Sequence, residues 1–135
     1  MDAAEALRDL TEISSQIEAA VLVTSEGQTL ASTLDDDGAT ERLSQAVRSL
    51  VHATAGAAGE RTLVQLEAAT RGGSLFVVRD DERIVAAVTK PQPTAGLVFF
   101  DLKSCLRAAA AEAGDGKPRP RARRTKTPAA AEGAE

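Results

Sequence analysis

Residues 61–89 read RTLVQLEAATRGGSLFVVRDDERIVAAVT, and this stretch decides the fold. Within Arg61–Thr70, Gln65 and Glu67 alternate with Val64 and Leu66, the two-residue period of a strand with one partly polar face. Arg71-Gly72-Gly73 supplies the glycines of a tight hairpin turn. Leu75–Val78 (LFVV) is apolar throughout, Asp80-Asp81-Glu82 turns the chain again, and Ile84–Val88 (IVAAV) is apolar throughout. The spacing predicts an antiparallel three-strand meander.

Working outward toward the N-terminus, Thr40–Ala58 is predicted as a long helix. Leu43, Val47, Leu50, Val51 and Thr54 form its apolar stripe; Gln45, Arg48, Ser49 and His52 occupy another face. Before it lies an acidic loop, Thr33–Gly38. Placing Gly38 at the sixth position of a calcium loop puts Thr33 first and Ser44 twelfth, where carboxylates are needed. The loop is therefore read as solvated acids that favour the N-terminus of the next helix. Further back, Ala19–Thr24 (AAVLVT) and Gln28–Ser32 flank Ser25-Glu26-Gly27 and read as a hairpin. The first helix is expected over Ala3–Ser15, capped by Asp2 with Glu5 three residues on. Leu7, Leu10, Ile13 and Ile17 are expected on its buried face.

In the other direction, Pro91 and Pro93 end the sheet. A closing helix from Thr94 or Ala95 to Ala113 carries Val98, Phe99, Leu102, Cys105, Leu106 and Ala109, with Phe99 as its anchor in the core. Ala20–Val23, Leu75–Val78 and Ile84–Val88 are each apolar on consecutive residues, so both faces of their sheet must be covered. The expected fold class is α/β: an α-β-β-α-β-β-β-α domain over residues 1–113, with three layers and a five-stranded, antiparallel-rich sheet between helices. Residues 114–135 hold three of the five prolines and no large apolar side chain. They are expected to form a disordered, basic, Pro/Ala-rich tail.

Composition narrows the function. Hydrophobic residues make up 43% of the 135 residues but aromatics only 2%, so the core must be aliphatic. The net charge of −4 conceals an asymmetry: from Gly114 onward six basic residues face three acidic ones, leaving the tail at +3 and the rest at −7. The single cysteine, Cys105, permits no internal disulfide. With no basic and apolar leader at the N-terminus and no apolar run of about 18 residues, the expected location is cytoplasmic.

Catalytic chemistry is sparse. His52 is the only histidine. With no nucleophile or second His nearby in sequence, it is read as a surface or interface residue. Cys105, on an apolar helical stripe, is read as a packed thiol. A zinc site needs several Cys or His ligands, and a phosphate loop needs G-x-x-x-x-G-K-[ST], which the chain lacks. No catalytic, cofactor or metal residue is assigned, and the chain is not expected to be an enzyme.

The ordered set of elements resembles the roadblock/dynein light-chain family, and within it the bacterial MglB-like type. Ile17–Thr24 with Ser25-Glu26-Gly27 and Gln28–Ser32 is similar to the family's first hairpin. The Gly72-Gly73 turn, the IVAAVT strand and Ala95-Gly96-Leu97-Val98 at the start of the last helix also match, so the likeness spans residues 3–113. The resemblance implies strand order 2-1-5-4-3 and homodimers joined through the third strand and the long helix. Here that places Val47, Leu50, Val51, Val64, Gln65 and Leu66 at the dimer interface. It further implies a non-enzymatic regulator or scaffold that binds a small Ras-like GTPase and modulates its activity. Gln45, Arg48 and His52 are the candidate partner-binding residues. Two other readings stay open: a small-ligand sensor, and a nucleic-acid accessory protein whose basic tail makes weak contact with nucleic acid or acidic surfaces.

Overall fold

The structure, a computed structural model, describes residues 1–57 and 64–115, with side chains to Ala110. Its elements are α1 (Ala3–Ile13), β1 (Ile17–Thr24), β2 (Thr29–Ser32), α2 (Asp37–Ala57), β3 (Gln65–Thr70), β4 (Gly73–Arg79), β5 (Arg83–Thr89) and α3 (Ala95–Asp115). The sheet is antiparallel throughout, in the order β2-β1-β5-β4-β3. This is the expected element order and strand order. Residues 61–63 of the expected third strand lie outside the described residues.

Local chemistry explains where the elements begin and end. Asp2 Oδ1 accepts from the Glu5 N–H at 2.8 Å and Glu5 Oε1 accepts from the Asp2 N–H at 3.1 Å, a reciprocal capping box that starts α1. α1 ends earlier than expected. Ser14 turns extended and donates its N–H back to Leu10. Past that cap the helical phase no longer applies: Ile13 is left 65% exposed, and Ile17 is buried as the first residue of β1 instead. Asp36 starts α2, its Oδ2 accepting from the Ala39 N–H at 2.8 Å. Asp80 Oδ1 accepts from the N–H groups of Glu82 and Arg83, which closes the β4–β5 turn. Gly73, at φ +148°, lies against the Thr89 carbonyl oxygen where a Cβ would collide.

The sheet separates two apolar clusters. On one face, Leu7 and Leu10 of α1 and Val98, Leu102 and Leu106 of α3 pack on Leu22, Phe76, Val78 and Val85. Phe99 is half-buried there, its ring centroid 5.0 Å from that of Phe76 in an edge-to-face contact. On the other face α2 is the one helix among the described residues, with Val47 and Val51 against Val21, Val23, Val77, Ile84 and Ala86. α2 lies over the β1 end of that face, leaving Leu66 and Leu75 half-buried toward β3.

Candidate dimerisation edge and partner face

The two edges of the sheet differ in what they offer. β2 has four residues, and its register against β1 shifts between Leu22 and Val23. Both α1 and α2 pack beside it. A short, irregular, flanked strand is a blunted edge. β3 is regular, pairing from Gln65↔Val78 to Thr70↔Gly73, and no helix packs on it comparably among the described residues.

The pairing pattern fixes which groups β3 leaves open. The Arg79 N–H donates to the Val64 carbonyl at 2.9 Å. Hydrogen-bonded and non-hydrogen-bonded pairs alternate along an antiparallel ladder. Val64, Leu66, Ala68 and Thr70 therefore turn their backbone groups toward β4. Gln65, Glu67 and Ala69 turn theirs outward, past the last strand of the sheet. Val64 itself precedes the strand with its side chain 58% exposed.

α2 carries three stripes. Ser44, Val47 and Val51 face the sheet. Ser44 is fully buried, its hydroxyl paired with Thr29 Oγ1 at 3.0 Å. The hydroxyl reads as polar in sequence, which keeps this position out of the predicted stripe. Val47 and Val51, expected at the interface, belong to the protomer's own core and have no surface to give. A second apolar stripe runs along the outside: Leu43, Ala46, Leu50, Ala53 and Ala57, spaced three and four apart and all exposed or half-buried. Its alanines are masked in sequence by the chain's general richness in Ala. Small residues at this spacing allow a second helix to approach closely.

The third stripe holds the expected partner residues. Gln45 and His52 are exposed. Arg48 is not free: Nη1 donates to the Gly27 carbonyl at 2.8 Å and Nη2 pairs with Glu41 at 3.1 Å. Gly27, at φ +101°, has no room for a Cβ beside the Arg48 side chain. Arg48 thus fastens the β1–β2 turn to α2 with 32% of its side chain still exposed, while Gln45 and His52 are open to solvent. Cys105 is buried, and that burial, followed by the charge of Asp9, raises its thiol from 9.0 to about 11. Such a thiol is a packing group, not a nucleophile. No described helix is long and apolar enough to cross a membrane. α3 extends to Asp115, two residues past the expected domain boundary, and the remainder of the expected tail lies outside the described residues.

These features define a class by fold: a three-layer α/β domain with one covered and one open sheet edge. The family model of the Roadblock/LC7 domain matches residues 3–90, and the chain belongs to that family. Its structure is similar to a Roadblock/LC7 domain from Streptomyces avermitilis, with TM-score 0.74 and 13% identity over 84% of this chain and 99% of that one. It is also similar to the gliding protein MglB from Thermus thermophilus, with TM-score 0.70 and 19% identity over 84% and 89% of the two chains. MglB from Myxococcus xanthus gives 0.66 and 15% over 88% and 90%. At these identities the likeness is one of fold. No curated protein matches the chain in sequence.

Proposed function

We propose that the protein is a non-enzymatic homodimer that binds a small Ras-like GTPase and modulates its activity. The observation that carries the dimer is the open β3 edge on the same side of the fold as the under-covered α2 face. Outward groups on Gln65, Glu67 and Ala69 pair with their symmetry mates, extending the sheet through a two-fold axis. Leu50, Leu66 and Val64 then lose their exposure, while Gln65 lies at the strand junction. The outer stripe of α2 meets its copy, and two helices form one surface flanked by Gln45 and His52.

The GTPase reading rests on family membership and on the MglB fold neighbours. Stimulating hydrolysis would require no catalytic residue on this chain if binding repositions groups of the GTPase itself. The test is a calorimetric titration of the full chain with a Ras-like GTPase encoded beside it, loaded with GDP or a GTP analogue. The expected result is binding that differs between the nucleotide states and weakens in His52→Glu and Gln45→Ala without loss of the dimer. Absence of binding in both states overturns the reading.

A further inference from the structure

On the face opposite the proposed dimer surface, α1 and α3 enclose a groove of about 160 Å³. Asp9 and Ile13 line one wall; Phe100, Asp101, Ser104 and Cys105 line the other. Two features set it apart. Ile13 and Phe100, at 65% and 61%, are the most exposed of the large apolar side chains described. Asp101 is only 9% exposed, yet neither its side chain nor that of Asp9 across the groove forms a hydrogen bond or ion pair with another described residue. The cations of α3 do not fill the gap. Arg107 reaches the Ser104 hydroxyl at 3.3 Å, and neither it nor Lys103 pairs with either carboxylate. Two carboxylates without a cation, beside exposed apolar side chains, suit an incoming cation carried on an apolar stem.

The occupant must bring positive charge on apolar bodies small enough for this groove. The chain holds such a segment: residues 117–126 read KPRPRARRTK. Arg stems cover apolar surface, and guanidinium planes stack on aromatic rings such as Phe100. Proline rings pack on the same kind of surface. The reach is sufficient. α3 ends at Asp115, fourteen residues beyond Asp101, or about 21 Å at 1.5 Å per helical residue. Arg121 to Arg124 follow Asp115 by six to nine residues, a span of up to about 20–30 Å in extended chain. The −7 body and +3 tail favour the return electrostatically.

We propose that the basic segment 117–126 seats in the α1–α3 groove of its own chain, with its arginines on Asp9 and Asp101 and against Phe100. The test is zero-length carbodiimide coupling of the full chain, which joins a lysine amine to a carboxylate, with the product mapped by mass spectrometry. Mixing isotope-labelled and unlabelled protein separates links within a chain from links between chains. The expected result is a within-chain amide from Lys126 to Asp9 or Asp101. It should disappear in 1 M salt, where the screening length is about 3 Å, and in the tail variant Arg123→Glu/Arg124→Glu with unchanged melting. Links spread over Asp35–Asp37, Glu41 and Asp80–Glu82, links between chains only, or no links at all each overturn the proposal. A second readout does not depend on coupling: the tail variant should shift the Phe100 aromatic resonances, and unchanged resonances contradict the contact.

Discussion

The two faces of the sheet use apolar residues differently. The α1–α3 face has two helices, and its large side chains, Phe76, Leu22 and Leu102, are fully enclosed by the chain itself. Among the described residues the α2 face has one helix, displaced toward β1, and Leu43, Leu66 and Leu75 stay half-buried around a smaller cluster. One face completes a protomer; the other is incomplete beside an edge strand whose backbone groups point outward. The contrast gives the first face the enclosed core, and the proposed association rests on the second.

Perturbing the enclosed face should give the largest effect on folding. Phe76→Ala should cost about 3–5 kcal/mol, read from urea denaturation, because a fully buried ring leaves a cavity. Phe99→Ala should cost less, since that ring is half-buried. Equal losses would mean that the two rings are equally enclosed.

Charging the open face should give the reverse pattern. Leu50→Asp should weaken dimerisation at least tenfold, or about 1.4 kcal/mol, while the circular dichroism of the protomer is retained. Unfolding of the variant at all concentrations would place Leu50 in the protomer core and erase the contrast.

Cys105 sharpens the comparison through pH. Its thiol is raised from 9.0 to about 11 in the folded state, by burial first and by Asp9 second. The folded protein therefore holds the proton more tightly than the unfolded chain. The associated stability is fully present below pH 9 and is lost as pH rises through 11. Iodoacetamide at a pH of about 8.5, near the ordinary thiol pKa, should label Cys105 far more slowly in folded protein than in urea. Comparable rates would show that the α1–α3 face opens readily. The smallest effect belongs to the helix cap: Asp2→Ala should cost about 1 kcal/mol in thermal unfolding, with no change in dimer affinity.

The fold is largely legible in the sequence because alternation, apolar runs and turn glycines agree along the chain. Gly27 and Gly73 both occupy positive-φ positions where sequence reading places turns. The end of α1 is not legible, because Ile13 and Ile17 keep helical spacing across a cap formed by Ser14, and spacing alone does not register a change of direction. The candidate site is less legible still. Val47 and Val51 satisfy an interface pattern and a core pattern equally, and only the position of α2 over the sheet separates them. Arg48 looks free in sequence because its partner, the Gly27 carbonyl, is distant along the chain and belongs to the backbone. Ala46, Ala53 and Ala57 carry too little side chain to stand out in an Ala-rich chain, although their small size is what opens the outer face of α2.

The central claim is association through the β3 edge, and sedimentation equilibrium of the wild-type chain beside Glu67→Pro tests it most directly. Proline at 67 removes an outward N–H while sparing the hydrogen bonds of β3 to β4. The wild type is expected at twice the chain mass of 14.0 kDa and the variant, with unchanged circular dichroism, at 14.0 kDa. A folded wild-type protein at 14.0 kDa across the concentration range, or a Glu67→Pro dimer as tight as the wild type, would contradict it.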